Sequence, residues 1–401
     1  IKIGGPTMVQ EARRMQGYGS DFIKEMFAAA KNPDMISFAG GAPAPELYAL
    51  DAFRAASDKA FQVHDRAIMA YDGAYGVSAL REFIASRWMT RTGVHVTADD
   101  ILILSGSQQG IDYAARLYLD EGDTVIVEHP SYLGALNTFS ALRAKYVSVA
   151  TDAEGMRMDA LEGALIAHPE AKLIYTVPDF QNPTGITLAA DRRLRMVELA
   201  EQYDVMIIED SPYFEIRFEG EFIPSIKSYD KSDRVIYLGS FSKTLCPGIR
   251  LGWVVASKAV IERYRVLKEA TDFQAGTVAQ YQAATFLADF DLDQHLVTSR
   301  NVYRGRRDAA FAAIEQTFPD DVSFTRPEGG YFIWVEAPGI NATEMVVYAM
   351  NEIGVAYVPG ESFYASEPRL DTLRLSYSQM TEDKIGEGIG RLGRLLKEAR
   401  P

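Results

Sequence analysis

Cysteine is almost absent: Cys246 is the only one in 401 residues. A single thiol excludes an intramolecular disulfide framework and a cysteine-rich metal site and leans toward a reducing compartment, so the cytoplasm is the expectation. Histidine is nearly as scarce, and His64, His95, His129, His168 and His295 show no metal-ligand spacing. Basic residues are outnumbered, 41 Lys and Arg against 55 Asp and Glu. The resulting formal charge of −14 repels phosphate backbones, with no basic run to offset it locally, so no nucleic-acid partner is expected. No apolar run approaches the ~20 residues that span a bilayer, which leaves no membrane partner either. The opening IKIGGPTMVQ lacks the apolar centre of a signal peptide. It also lacks an initiator methionine, which makes Met8 a candidate native start. Internal repeats and low-complexity segments are missing too.

What is present suits a globular protein: 47% hydrophobic and 24% charged residues can bury one or two sizeable cores. From about residue 100 to 257, short β-rich runs alternate with helical patterns. The runs are ILILSG, TVIVEHP, KYVSVAT, KLIYTVP, VMIIEDSPY, RVIYLGSFSK and LGWVVAS. Most are continuous apolar stretches of strand length, which suits strands buried on both faces of a largely parallel sheet. Between them, SQQGIDYAARLYLDEG and LAADRRLRMVELAEQYD read as helices, the latter with apolar residues at helical spacing. The pattern predicts an α/β domain. After a long helical region, roughly 258 to 317, three separated strand candidates, GGYFIWVEAP, GVAYVPG and TLRLSYS, predict a second, smaller α+β unit.

One lysine stands apart. In YLGSFSKTLCPGIRLGW, residues 237 to 253, Lys243 sits among small, hydroxylated and glycine residues directly after an apolar run. Most lysines are solvated surface charges. A phosphate-cradling loop would need G-x-x-x-x-G-K-[ST], and Tyr237 and Ser242 hold its two glycine positions, which excludes that reading. Ligands of open α/β sheets collect at the carboxyl ends of the strands, and the residues after each run form a consistent set. SGSQQG, with Ser107 and Gln108, is a small-residue turn opening a helix and suits an anion. Tyr132, after TVIVEHP, either lies over a flat ring or packs in the core. Asn182 sits in a proline-punctuated turn. Glu209 and Asp210 follow four apolar residues, where a carboxylate is partly buried and needs a proton or a positive partner. Tyr213 lies one helical turn on, and Ser240, Ser242 and Arg250 surround Lys243. Arg374, in LRLSYS, carries the planar guanidinium that matches a carboxylate bidentately. The set offers an anion cradle, a ring platform, a carboxylate, two hydrogen-bonding groups and an amine. Pyridoxal phosphate has matching needs: an aldehyde for a lysine, a phosphate, a ring oxygen, and a ring nitrogen whose protonation makes the ring an electron sink.

The ordered motifs run from FAGGAPAPELY through YDGAYGVSALR, SGSQQ, PSY, QNPTG, EDSPY, SFSKTLCPGIRLGW and PEGGYFIWVE to LRLSYS. On them the chain resembles the fold type I pyridoxal-phosphate aminotransferases of class I/II, and within these the branch of 2-aminoadipate, kynurenine and aromatic aminotransferases. The resemblance implies a mostly parallel seven-stranded sheet flanked by helices, with a second smaller α+β domain. It implies a large cofactor-binding domain at 46–289 and a small domain from 1–45 plus 290–401, whose N-terminal segment covers the substrate. It casts Lys243 as the lysine that condenses with the cofactor aldehyde and Asp210 as the partner that keeps the pyridine nitrogen protonated. Tyr132 stacks on the ring, Asn182 and Tyr213 bond its oxygen, and Ser107, Gln108, Ser240, Ser242 and Arg250 hold the phosphate. Tyr71 reaches that phosphate from the neighbouring subunit of a homodimer. Arg374 grips the substrate α-carboxylate, with Gly40 beside the substrate.

The expected reaction is transamination by ping-pong turnover: an amino acid leaves as its 2-oxo acid, and a second 2-oxo acid takes up the amino group. Two other readings stay open at this point. A β-eliminating carbon–sulfur lyase would use the same cofactor residues and release ammonia and pyruvate. A non-catalytic ligand sensor would carry a DNA-binding winged helix ahead of FAGG, where too few residues stand. For side-chain selection, the branch implies a helix near GYGSDFIKEMF bearing an arginine for acidic substrates. Here Lys24 stands near that position, a point charge without the bidentate fork, and Tyr18 and Phe22 suit an aromatic or apolar side chain. Aromatic or large aliphatic amino acids are therefore expected as donors ahead of acidic ones such as 2-aminoadipate, with 2-oxoglutarate as acceptor.

Overall fold

The continuous apolar runs become strands because their residues are buried on both sides, and both faces of the sheet are covered by helices. In the computed structural model, residues 12–15 and 34–399 are described. After a short first strand, β1 (Ile36–Ser37), come β2 (Ile101–Leu104), β3 (Thr124–His129), β4 (Lys145–Asp152), β5 (Gly155–Met156), β6 (Leu173–Thr176), β7 (Met206–Asp210), β8 (Val235–Ser240) and β9 (Gly252–Val255). These last eight form one sheet in the order β2-β9-β8-β7-β6-β3-β4-β5. The pairs among β4, β3, β6, β7 and β8 are parallel, whereas β9 runs antiparallel to both neighbours. The seven expected strands are all present. The eighth, β5, is a two-residue return antiparallel to the edge strand β4 and too short for a periodicity to register.

Alternation within the strands divides the core. Ile126, Ile174 and Ile207 pack on one face with Met196, Leu199 and Ala200 of the helix Ala190–Gln202. Val125, Leu173, Ile208 and Ile236 face the other way, against Ile111, Ala114 and Ala115 of the helix Ser107–Tyr118. Successive side chains of a strand point to opposite faces, so at the end of β7 Glu209 and Asp210 part company.

The region 258 to 317 resolves into three helices, Lys258–Thr271, Thr277–Asp289 and Leu292–Thr317. Beyond it lie β10 (Ser323–Phe324), β11 (Phe332–Glu336), β12 (Val355–Ala356), β13 (Val358–Pro359) and β14 (Thr372–Ser376). A second, antiparallel sheet has the order β10-β11-β14-β13. The single strand expected from GVAYVPG is divided: Val355 and Ala356 pair with β1, and Val358 and Pro359 with β14. Pro359 lacks an N–H and therefore suits this edge position. The final helix, Glu382–Glu398, starts at Thr381, whose hydroxyl accepts from the Lys384 N–H, and packs along Leu292–Thr317.

Candidate active site

The carboxyl ends of the parallel strands deliver the chemistry to one place. Gly106 precedes the helix Ser107–Tyr118 at φ 93°, in the left-handed region that glycine enters without steric cost. A Cβ there would also lie 2.5 Å from Nη2 of Arg250. This turn presents the first N–H groups of the helix and the Ser107 side chain, an arrangement suited to an anion. The Gln108 side-chain amide is committed to the Gly134 carbonyl at 2.9 Å and Thr138 Oγ1 at 2.8 Å, which leaves Gln108 its backbone N–H for the anion. Ser240 Oγ accepts from the Ser242 N–H at 3.1 Å and fixes the turn after β8, while Arg250, itself at φ 53°, closes the cup.

Tyr132 follows β3 and donates to Gln108 Oε1 at 3.4 Å. Its ring lies so close to Gly134 that a Cβ there would be 2.5 Å from the ring, and burial pushes its hydroxyl up to about 12. Lys243 extends beneath this region. Its Nζ donates to the Gly41 carbonyl at 2.6 Å and lies 5.5 Å from the Tyr213 ring centre and 5.9 Å from that of Tyr331. Burial and then the Arg374 charge push the amine down to about 8, against the pull of Asp210. The attacking form of an amine is the neutral one. Borohydride-fixable attachment of pyridoxal phosphate at Lys243 is therefore expected to speed up as pH rises and to level off above about 8. A rate still climbing at the pH of an ordinary lysine would show the amine to be solvated.

Asp210 is 3% exposed. Its Oδ2 accepts from the Tyr175 hydroxyl at 2.8 Å, and burial holds the carboxyl up at about 6 despite Tyr175 and Lys243. Glu209, on the other face, is satisfied by the N–H groups of Ile226 and Lys227 at 2.9 and 2.8 Å. Arg374 donates through Nη1 to Asn182 Oδ1 at 2.8 Å and through Nη2 to the Ala39 carbonyl at 2.6 Å. Its guanidinium lies 4.4 Å from the ring centre of Phe332 and 5.0 Å from that of Phe363, and burial lowers its pKa to about 10.

Each residue singled out in the sequence for cofactor or substrate, apart from Tyr71, Gly40, Lys24, Tyr18 and Phe22, lines one cavity of 470 Å³. Tyr71 is 81% exposed and rests its ring edge-on against Phe273. Gly41, next to Gly40, lines the cavity, while Gly40 backs onto Gln379. Lys24, with Tyr18 and Phe22, lies outside the described residues. Sequence reading missed Tyr175, Tyr331 and the carbonyls of Ala39 and Gly41. The tyrosine in KLIYTVP was a usable signal, since β6 lies beside β7 and brings Tyr175 to Asp210.

Two buried polar atoms at this cavity have no partner, Asp210 Oδ1 and Arg374 Nε. A bare carboxylate oxygen, a flat aromatic platform, a depressed amine and an anion cup are complementary to a protonated heteroaromatic ring that bears an aldehyde and a phosphate. The residues fit pyridoxal 5′-phosphate.

Known proteins agree. The sequence model of the family "Aminotransferase class I and II" matches residues 34–392. Aromatic-amino-acid aminotransferase 1 of Thermococcus litoralis is 38% identical over 99% of this chain and 97% of its own length. The structure of Pyrococcus horikoshii kynurenine aminotransferase in complex with PMP superposes with a TM-score of 0.93 at 38% identity, covering 97% of both chains. LysN, the α-aminoadipate aminotransferase of Thermus thermophilus, complexed with N-(5′-phosphopyridoxyl)-L-leucine, superposes with a TM-score of 0.88 at 32% identity, also covering 97% of both chains. The chain belongs to the class I and II aminotransferases. It is a transaminase of fold type I that uses pyridoxal 5′-phosphate.

Proposed function

We propose that this transaminase moves the amino group of an aromatic, large aliphatic or 2-aminoadipate-like L-amino acid to a 2-oxo acid such as 2-oxoglutarate. The observation that carries the site assignment is the convergence of Lys243, Asp210 and Arg374 on one cavity. The substrate range rests on the relatives, whose names span aromatic amino acids, kynurenine and α-aminoadipate. When bound, pyridoxal phosphate supplies an electrophilic carbon and a ring that accepts electron density. Lys243 would hold its aldehyde carbon and, in its neutral form, would carry the proton from the substrate α-carbon to the cofactor's C4′ carbon on the far side of the shared nitrogen. Asp210 holds a proton on the ring nitrogen through the oxygen that Tyr175 leaves free. Tyr132 stacks on the ring, Asn182 and Tyr213 bond its oxygen, and the cup of Ser107, Gln108, Ser240, Ser242 and Arg250 takes the phosphate. Arg374 receives the α-carboxylate, with Gly40 and Lys24 assigned to the substrate side.

Half-reactions of the cofactor-loaded enzyme with phenylalanine, leucine, 2-aminoadipate and glutamate test the substrate range. The expected kcat/KM order puts phenylalanine and leucine first. A strong acidic preference that Lys24→Ala abolishes would reverse the ranking. Release of ammonia and pyruvate without amino transfer would favour the lyase reading.

The same proposal includes a large domain at 46–289, a small one from 1–45 plus 290–401, a cytoplasmic setting and a homodimer with shared sites. No helix among the described residues is long and apolar enough to cross a membrane. Tyr71, exposed beside other exposed apolar side chains such as Met69 and Phe273, supports the dimer. Tyr71→Phe is expected to weaken cofactor binding about tenfold, the worth of one charge-assisted hydrogen bond. Unchanged affinity, or full activity in a species sedimenting as a monomer, would remove the shared site.

A further inference from the structure

A lysine with a fully buried side chain lies outside the cavity. Lys268, near the end of the helix Lys258–Thr271, is held by Asp272, with Nζ 2.8 and 2.9 Å from the two carboxylate oxygens. Burying an ammonium is costly unless it is paired and hydrogen-bonded, so its remaining contacts show what the pair is for. They converge on the turn at 105–109. Lys268 donates to Gln109 Oε1 at 2.8 Å, and the same oxygen accepts the Ser105 N–H at 2.9 Å. Asp272 Oδ2 accepts from the Ser105 hydroxyl at 2.7 Å and from Gln109 Nε2 at 2.9 Å. Ser105 and Gln109 flank Ser107 and Gln108, so the ion pair clamps both ends of the turn that forms the anion cup.

The other side of the pair leads to Tyr71. The chain leaves Asp272 through Phe273, whose φ of 67° is an uncommon, left-handed conformation for a bulky residue. It is held there by its N–H, which donates to the Lys268 carbonyl at 2.8 Å. Phe273 meets the Tyr71 ring edge-on at 5.0 Å. Gln274 Oε1 accepts the N–H groups of Asp72 at 2.8 Å and Gly73 at 3.1 Å, directly after Tyr71.

We propose that Lys268, Asp272 and Gln274 are positioning residues on one segment that sets both halves of the phosphate site: Lys268 and Asp272 hold the cup of their own protomer, and Gln274 holds the Tyr71 arm that the protomer lends to its partner. The proposal rests on the pyridoxal-phosphate dimer reading. Lys268→Met keeps the volume of the stem, and Asp272, 32% exposed, can hydrate, so the fold survives and the cup loosens. In the dimer, Lys268→Met is expected to raise the Kd of pyridoxal phosphate about tenfold while shifting that of phosphate-free pyridoxal less than about twofold. Gln274→Ala gives the same pattern through the arm. In a hybrid dimer of one Lys268→Met chain and one Gln274→Ala chain, one site carries both defects and the other neither. Half of the cofactor should then bind with wild-type affinity. Equal weakening of both hybrid sites, or equal losses for pyridoxal and its phosphate, overturns the proposal. A monomer in sedimentation removes the dimer reading separately, and Lys268→Met against the two probes still decides the cup.

Discussion

Lys243→Ala is expected to lower kcat by about 10⁴-fold, the upper range for loss of a positioned proton carrier, while the protein still retains pyridoxal phosphate. The cup, the Tyr132 platform and Asp210 make no hydrogen bond to the lysine side chain, so on the proposed assignment the cofactor keeps its other contacts. Borohydride should then fix no cofactor to the chain, in contrast to wild type. The thermal midpoint of the cofactor-free protein should be equal or higher, because the substitution deletes an amine whose burial is unfavourable when charged. A folded variant with substantial turnover, or label fixed at another lysine, would remove Lys243 from the centre of the reaction. A fallen thermal midpoint with lost activity would place its role in the fold instead.

Asp210→Asn is expected to cost about 10²- to 10³-fold in kcat, the scale for removing one preorganised electrostatic group from an enclosed site. The amide keeps the shape and loses the charge that, on the proposed assignment, would hold a proton on the ring nitrogen. In the cofactor-free protein the same carboxyl makes stability pH-dependent. Its folded pKa of about 6 lies above the unfolded value of about 4. Its contribution is therefore fully present below pH 4 and is lost as pH rises through about 6. Asp210→Asn should flatten that part of the stability profile, and binding of the positively charged ring should flatten it in wild type. An unaltered profile in the variant would assign the pH dependence to Glu128 and Glu209, which burial also pushes up to about 7.

The cavity residues were legible because the buried strands announce themselves as apolar runs. The side chains that follow each run, such as Ser240 and Lys243 after RVIYL, must then emerge at one edge of the sheet. Contacts that span the chain without a local signature were not legible. Lys243 meets a backbone carbonyl 202 positions away, and Arg374 another 335 positions away. A carbonyl is the same at every residue, so no pattern marks it. Glu209 was read alongside Asp210 as a buried acid needing a proton or a cation. The helix Ile226–Tyr229 also meets it with backbone N–H groups, beside the Arg193 charge, and the strand alternation that separates the two acids explains why only one faces the cavity. Lys268 looked like any helical lysine, since its partners in the turn at 105–109 precede it by some 160 positions.

Arg374, enclosed between Phe332 and Phe363 with two of its nitrogens committed and the third, Nε, idle, gives the site a grammar for what it admits. A cation stripped of water and walled by rings is unfinished until an anion completes it, and the idle Nε marks where the completion is wanted. An amine without a carboxylate leaves that sentence open and forfeits the charge-assisted bond, about 1.5–3 kcal/mol. On the proposed assignment, the fixed word is the acid function common to all amino acids, spoken by a residue with no room to turn aside. Variation is left to the far end of the cavity, where a side chain can differ without disturbing the clause that holds it. On the proposed assignment of Arg374, the enzyme is expected to accept varied amino acids and to turn over plain amines poorly, and half-reactions with an amino acid and its decarboxylated amine check this.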